Sequence, residues 1–117
     1  MMKENIIQEK SYTFALEIIQ LTKKFPRRND GFVLGKQLLR SSTSIGANVE
    51  EAIGAFTKPD FAHKMSIALK EARETHYWLR LMRDSKMLTG DVEPYVLKAE
   101  ELIKILTAIV KKSKAKN

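Results

Sequence analysis

Phe61, Met65, Ala68, Ala72, Thr75, Leu79 and Met82 follow one another at alternating steps of four and three residues. That spacing returns every side chain to one face of an α-helix and suits no other regular backbone. Trp78 and Leu81 widen the stripe on one side. The start of this helix is marked by Thr57-Lys58-Pro59-Asp60: a hydroxyl at the cap, proline in the first turn, and an acid three residues after the cap. A helix with so long an apolar stripe must bury it against something, and the rest of the chain supplies partners of the same kind.

Ile7, Phe14, Ile18, Leu21 and Phe25 form a second series in which Ser11 fills the one gap. Pro26 and the polar run Arg27-Arg28-Asn29-Asp30-Gly31 end it. A third series runs through Leu34, Leu38, Ile45, Val49, Ala52 or Ile53, and Phe56, with Asn29 or Asp30 as its cap. Its centre, Ser41-Ser42-Thr43-Ser44-Ile45-Gly46-Ala47, has weak helix propensity and by itself suggests a loop. The apolar period continues through it, which predicts a helix whose small side chains let a neighbour approach closely. Beyond Ser85–Asp91, where Thr89 or Asp91 offers a cap and Pro94 is tolerable in a first turn, a fourth series carries Val92, Tyr95 or Val96, Ala99, Leu102, Ile103, Leu106, Ile109 and Val110.

Helices are therefore expected over roughly 4–25, 30–56, 59–86 and 90–112, with a basic tail over 111–117 that should fray. Short connections between long helices force antiparallel neighbours. The expected fold is an all-α, antiparallel, up-and-down four-helix bundle. A chain of 117 residues suffices for one core but not for two, so residues 1–117 are expected to form a single domain.

The absence of cysteine excludes disulfides, thiolate metal sites and thiol nucleophiles. Lys and Glu interrupt every apolar stretch, and the N-terminal residues lack a signal core, so a soluble, cytoplasmic, membrane-free protein is expected. The formal net charge of +7 favours a polyanionic partner.

Few residues suggest chemistry. His63 and His76 are thirteen residues apart on one predicted helix, too far along its axis to share a metal. His63 should face outward and His76 lie off the main seam. No Glu-x-x-His pair occurs, which argues against a carboxylate-bridged metal centre. Glu71 and Glu74 share a stripe beside the seam, where a partly buried carboxylate would need a partner; Arg40, Asn48 or a helix-end amide would serve. Gly35, Gly46 and Gly54 fit no phosphate-binding loop and are read as close-packing positions. Ser41–Ser44 lack a nucleophile elbow. No cofactor, metal or catalytic residue is expected. The candidate nucleic-acid contacts are cationic: Lys23, Lys24, Arg27 and Arg28 at one bundle end; Lys64, Lys70, Arg73, Arg80 and Arg83, with Lys86, along the third helix; and Lys111, Lys112, Lys114 and Lys116 in the tail. Trp78 is expected to pack rather than to stack on bases. The second helix is nearly uncharged by comparison, as a helix covered on more than one side would be; oligomerisation would cover it.

Phe25-Pro26, the run Gln37-Leu38-Leu39-Arg40-Ser41-Ser42-Thr43-Ser44-Ile45-Gly46-Ala47-Asn48-Val49-Glu50-Glu51, Asp60-Phe61, Ile67-Ala68-Leu69-Lys70-Glu71-Ala72 and Glu74-Thr75-His76-Tyr77-Trp78-Leu79 together resemble the 23S ribosomal RNA intervening-sequence protein family. The resemblance spans roughly residues 25–85. It implies a four-helix bundle without enzymatic activity, often a ring-like homopentamer, whose genes can lie inside insertions in large-subunit ribosomal RNA genes. A similar bundle is the accessory variability protein of diversity-generating retroelements, a basic pentamer that binds nucleic acid and a reverse transcriptase. By position, the resemblance makes Arg40, Ser44, Asn48, Glu51 and Glu74 structural or interface residues, and Trp78 accompanies them in the third-helix motif. Arg73 and His76 stand where relatives are expected to be uncharged.

The expected function is thus a non-catalytic, RNA- or DNA-associated homo-oligomer that binds phosphate with little sequence preference. The alternative is a protein-interaction scaffold for a nucleic-acid enzyme such as a reverse transcriptase.

Overall fold

A computed structural model describes residues 2–87 and 90–115. Four helices, α1 (Met2–Thr22), α2 (Asn29–Ile53), α3 (Lys58–Ser85) and α4 (Glu93–Ala115), run up and down in chain order. The bundle measures 46 × 20 × 19 Å. Each helix packs on its neighbours in sequence, and α1 meets α4 to close the square, the sparsest of the four contacts. The four apolar series converge: Ile7, Phe14, Ile18, Leu38, Ile45, Val49, Met65, Ala72, Leu79, Met82, Val96, Leu102 and Leu106 are all buried. Where the spacing allowed two residues, Ala52 rather than Ile53 and Val96 rather than Tyr95 take the buried position. No described helix is long and apolar enough to cross a membrane.

The helix ends depart from expectation for local reasons. α1 stops at Thr22, not near 25, because the residue before a proline is disfavoured in helical geometry. Phe25 still reaches the core through a turn in which its N–H donates to Thr22 O at 3.1 Å. α2 begins without a side-chain cap: Arg28 holds the extended cap position, and neither Asn29 nor Asp30 caps it. Asn29 instead takes a left-handed conformation, φ 59°, which asparagine tolerates better than most residues. α2 ends at Ile53, where the Gly54 N–H donates to the last-turn carbonyls. Phe56 consequently leaves the helical register and is fully exposed instead of continuing the core stripe.

Thr57 caps α3 as its spacing predicted, accepting from the Asp60 N–H at 3.1 Å. Asp91 does the same for Glu93 at 3.0 Å before α4; the other cap candidate, Thr89, lies outside the described residues. α4 continues through Ala115, so the basic tail is helical that far, and Lys116 lies outside the described residues.

The serine-rich centre of α2 is helical because the buried stripe Leu38, Ile45 and Val49 runs through it, and its hydroxyls turn back onto carbonyls of the preceding turn. Ser42 donates to Leu39 O at 3.3 Å, Thr43 to Leu39 O at 2.8 Å and Ser44 to Arg40 O at 2.8 Å. Ser41 and Ser42 are buried, so their small side chains bring the neighbouring helices close.

Candidate nucleic-acid interface

The polar residues singled out on α2 and α3 meet along one seam. Arg40 donates through Nη1 to Glu71 Oε1 at 3.2 Å, through Nη2 to Glu74, and through Nε to Gln37 Oε1 at 3.2 Å. Trp78 Nε1 donates to Glu74 Oε2 at 3.3 Å, and the tryptophan packs against the core. Of the three partners considered for the acids, Arg40 is the one used. The hydrogen bond to Glu74 is the largest cause holding the Arg40 guanidinium above its ordinary pKa. Beneath this cluster the buried Thr75 hydroxyl lies 2.8 Å from both Ser41 Oγ and Glu71 O. Asn48 Nδ2 donates to Ser44 O at 2.9 Å, within α2. Glu51 pairs with Lys64 at 2.7 Å. Arg40, Glu51 and Glu74 thus tie α2 to α3, Trp78 supports Glu74 from within α3, and Ser44 and Asn48 brace α2 itself.

The candidate phosphate contacts are spread over the bundle, and Lys111, Lys112 and Lys114 are exposed on the last turns of α4. Lys23, Lys24, Arg27 and Arg28 are exposed on the α1–α2 turn. There Lys23 and Arg27 edge a groove of about 340 Å³ with Phe32 and Lys36; the Lys36 ammonium sits 5.1 Å from the Phe32 ring centroid. Lys64 lies toward the opposite end of the bundle, engaged by Glu51. Arg83 is engaged as well, by Asp84 and Glu93, each at 2.8 Å. These carboxylates raise its pKa, Asp84 most strongly, while Arg83 holds the Asp84 carboxyl below the usual range.

Arg73 and Arg80 share a separate site. They line a groove of about 360 Å³ between α3 and α4 with His76, Glu100, Ile103 and Lys104. His76 Nε2 is 3.0 Å from Glu100 Oε2. Among the described residues, neither arginine nor Lys104 has a carboxylate within ion-pair distance. Lys70 is exposed on the same helix, and His63 faces outward. The sequence reading missed Lys36 and Lys104; both are ordinary helix-surface lysines until the packing brings them beside Phe32 and Arg73.

Two of the three glycines read as close-packing sites have room. A Cβ on Gly46 would sit 3.6 Å from Ser11, and one on Gly54 no nearer than 3.7 Å to any atom. The tight positions are Gly35, whose Cβ would come within 2.8 Å of Phe25 Cδ2, and Gly31, equally close to Pro26. No three His, Asp or Glu residues among those described gather as metal ligands.

No curated protein matches the chain significantly. Among solved structures, it is similar to a protein of unknown function from the S23 ribosomal protein family of Bacteroides thetaiotaomicron VPI-5482, with 43% sequence identity and a TM-score of 0.84, over 93% of this chain and 98% of the other. The sequence model of the 23S rRNA-intervening sequence proteins matches residues 3–108. With the bundle, the α2–α3 seam and this match over most of its length, the chain belongs to the 23S rRNA-intervening sequence protein family.

Proposed function

We propose that this protein is a non-catalytic, nucleic-acid-associated bundle that works as a homo-oligomer, a pentamer as its family resemblance implies, in the cytoplasm. The observation that carries the nucleic-acid reading is the uneven use of positive charge. Arg40, Lys64, Arg83, Lys10 and Lys98 are each matched to a carboxylate. Among the described residues, no carboxylate lies within ion-pair distance of the cations of the α1–α2 turn or of Arg73, Arg80 and Lys104, which supports their use for phosphate. The non-catalytic reading is supported by the most interior ionisable cluster: Glu71 and Glu74 are held by Arg40, an arrangement that ties helices together.

Oligomerisation is supported by the faces of α1 and α2. Phe32, Leu39, Gly46 and Ile53 repeat every seven residues on α2, beside the core stripe. Gly46 faces Ser11 of α1, so this second stripe borders that helix, where Tyr12 and Leu16 stand exposed. Tyr12, Leu16, Phe32, Leu39 and Ile53 are large apolar or aromatic side chains exposed on α1 and α2, and a subunit contact there would cover them.

Mobility shift of a single-stranded RNA, a single-stranded DNA and a duplex DNA across a salt series tests the first part. Binding that weakens steeply with salt and differs little between sequences is expected; no binding at about 50 mM salt sinks the proposal. If RNA does not bind but a reverse transcriptase does, the protein-scaffold reading replaces it.

A further inference from the structure

We propose that the α3–α4 groove is the single-strand contact of this protein, with Arg73, Arg80 and Lys104 taking phosphodiesters and Tyr77 taking a base. The inference rests on the nucleic-acid reading above and assigns it a place and a strand state.

Lys70, Arg73, Tyr77 and Arg80 follow at steps of three, four and three residues, so they share one face of α3, and all four are exposed. Arg73 and Arg80 are separated by two helical turns, about 10 Å along the axis, which matches a run of phosphates better than one small anion. Lys104 adds a third cation from α4, across the Ile103 floor of the groove. The acid in the groove, Glu100, is engaged by His76. The groove lining therefore carries three cations against one carboxylate, and an anionic strand would answer the excess positive charge.

An aromatic ring beside the groove, outside its lining but on the same exposed face of α3 as Arg73 and Arg80, points to an unpaired strand. Tyr77 is 48% exposed, and its ring is held from two directions. Trp78 meets it edge-on with centroids 5.2 Å apart, and the Arg80 guanidinium lies 5.9 Å from its centroid. A ring fixed in this way, with half its surface in solvent, is a platform for a base; duplex bases are already stacked and would not reach it. The α1–α2 turn carries more cations, but its exposed ring, Phe32, belongs to the apolar stripe of α2 assigned above to the subunit contact.

The test is fluorescence anisotropy of a labelled 20-nucleotide oligouridylate against the full-length protein between about 50 and 300 mM salt. Four variants are compared with the parent: Arg73→Gln/Arg80→Gln/Lys104→Gln; Lys23→Gln/Lys24→Gln/Arg27→Gln/Arg28→Gln; Tyr77→Leu; and Tyr77→Phe. The groove triple variant should bind at least about tenfold more weakly and lower the log–log salt slope by about two, one phosphate lost per cation. Tyr77→Leu should weaken binding about tenfold at unchanged slope, and Tyr77→Phe should restore it. Circular dichroism melting checks that the variants remain folded.

If the turn variant loses affinity and slope while the groove variant keeps both, nucleic-acid binding stands and its assignment to the groove is overturned. Equal binding of a duplex overturns the single-strand assignment. Should 10 mM inorganic phosphate (about a saturating level for a weak anion site) raise the melting temperature only when the groove is intact while oligouridylate binds every variant alike, the groove is a small-anion site. Failure of the parent protein to bind at low salt removes the inference and the proposed function together.

Discussion

Arg40 on α2 answers two carboxylates that lie nearly one turn apart on α3, and the consequence of losing it would fall on Glu71, the more buried of the two. A fully buried pair broken on one side costs roughly 3–5 kcal/mol. Here the guanidinium and Glu74 are partly solvated, which reduces the effect. Arg40→Gln should therefore lower the unfolding free energy by about 1–2 kcal/mol in urea titration, and Arg40→Lys should recover less than half, because an ammonium cannot span both acids as a fork does. The exposed Arg83–Asp84 pair gives a pH prediction. A carboxyl held below its ordinary range adds stability above its unfolded pKa and loses that contribution as pH falls through the folded value. Asp84→Asn should thus reduce the acid-side dependence of stability on pH, seen as a shallower fall in melting temperature below about pH 4. That Glu71 or Glu74 would need a partner was legible in their position beside the core stripe. The choice of Arg40 over Asn48 was not, because it depends on the offset between α2 and α3.

At the scale of the elements, the helices were readable and their ends less so. Thr57 and Pro59 announced α3 by local chemistry alone, and Thr57→Ala should cost about 1 kcal/mol by thermal or urea unfolding. The end of α2 was misread, because an apolar residue at position 56 continued the period although the chain had already turned at Gly54. Glycine roles likewise required the packing. Gly46→Ala should be neutral or stabilising by up to about 1 kcal/mol, since an added methyl meets only ordinary contacts and helix propensity improves. Gly31→Ala should destabilise, because its Cβ would come within 2.8 Å of both the Pro26 ring and the Pro26 carbonyl. Melting temperatures of the two variants should move apart; if both fall alike, the small-residue run matters for a closer helix approach than this bundle has.

For the whole molecule, the distribution of surface character is the property that matters. Apolar side chains stand exposed on α1 and α2, and unmatched cations stand on the α1–α2 turn and between α3 and α4. Light scattering coupled to size exclusion should give a mass several times the 13.4 kDa of one chain. Leu16→Glu/Leu39→Glu should return it to monomer, because a charge cannot be buried unpaired in a subunit contact. A parent protein that already elutes as a monomer would remove the oligomer from the proposed function without touching the basic groove.

The sequence by itself determined the class of fold and most of the core. Helical period is a local property: Met65, Ala68, Ala72, Thr75, Leu79 and Met82 are buried because a helix can place them nowhere else but on one stripe, and every helix of this chain carries such a stripe. It also determined the total charge. Only the tertiary structure decided which charges are matched. Lys64, indistinguishable in sequence from Arg73 and Arg80, is neutralised by Glu51 of another helix, and Arg83 adds Glu93 of α4 to its own neighbour Asp84, while Lys104 joins the two arginines from a different helix. Charge pairing acts between neighbours in space, over a few ångströms, and which residues become neighbours across a bundle is set by the packing of helices, not by the spacing within any one of them.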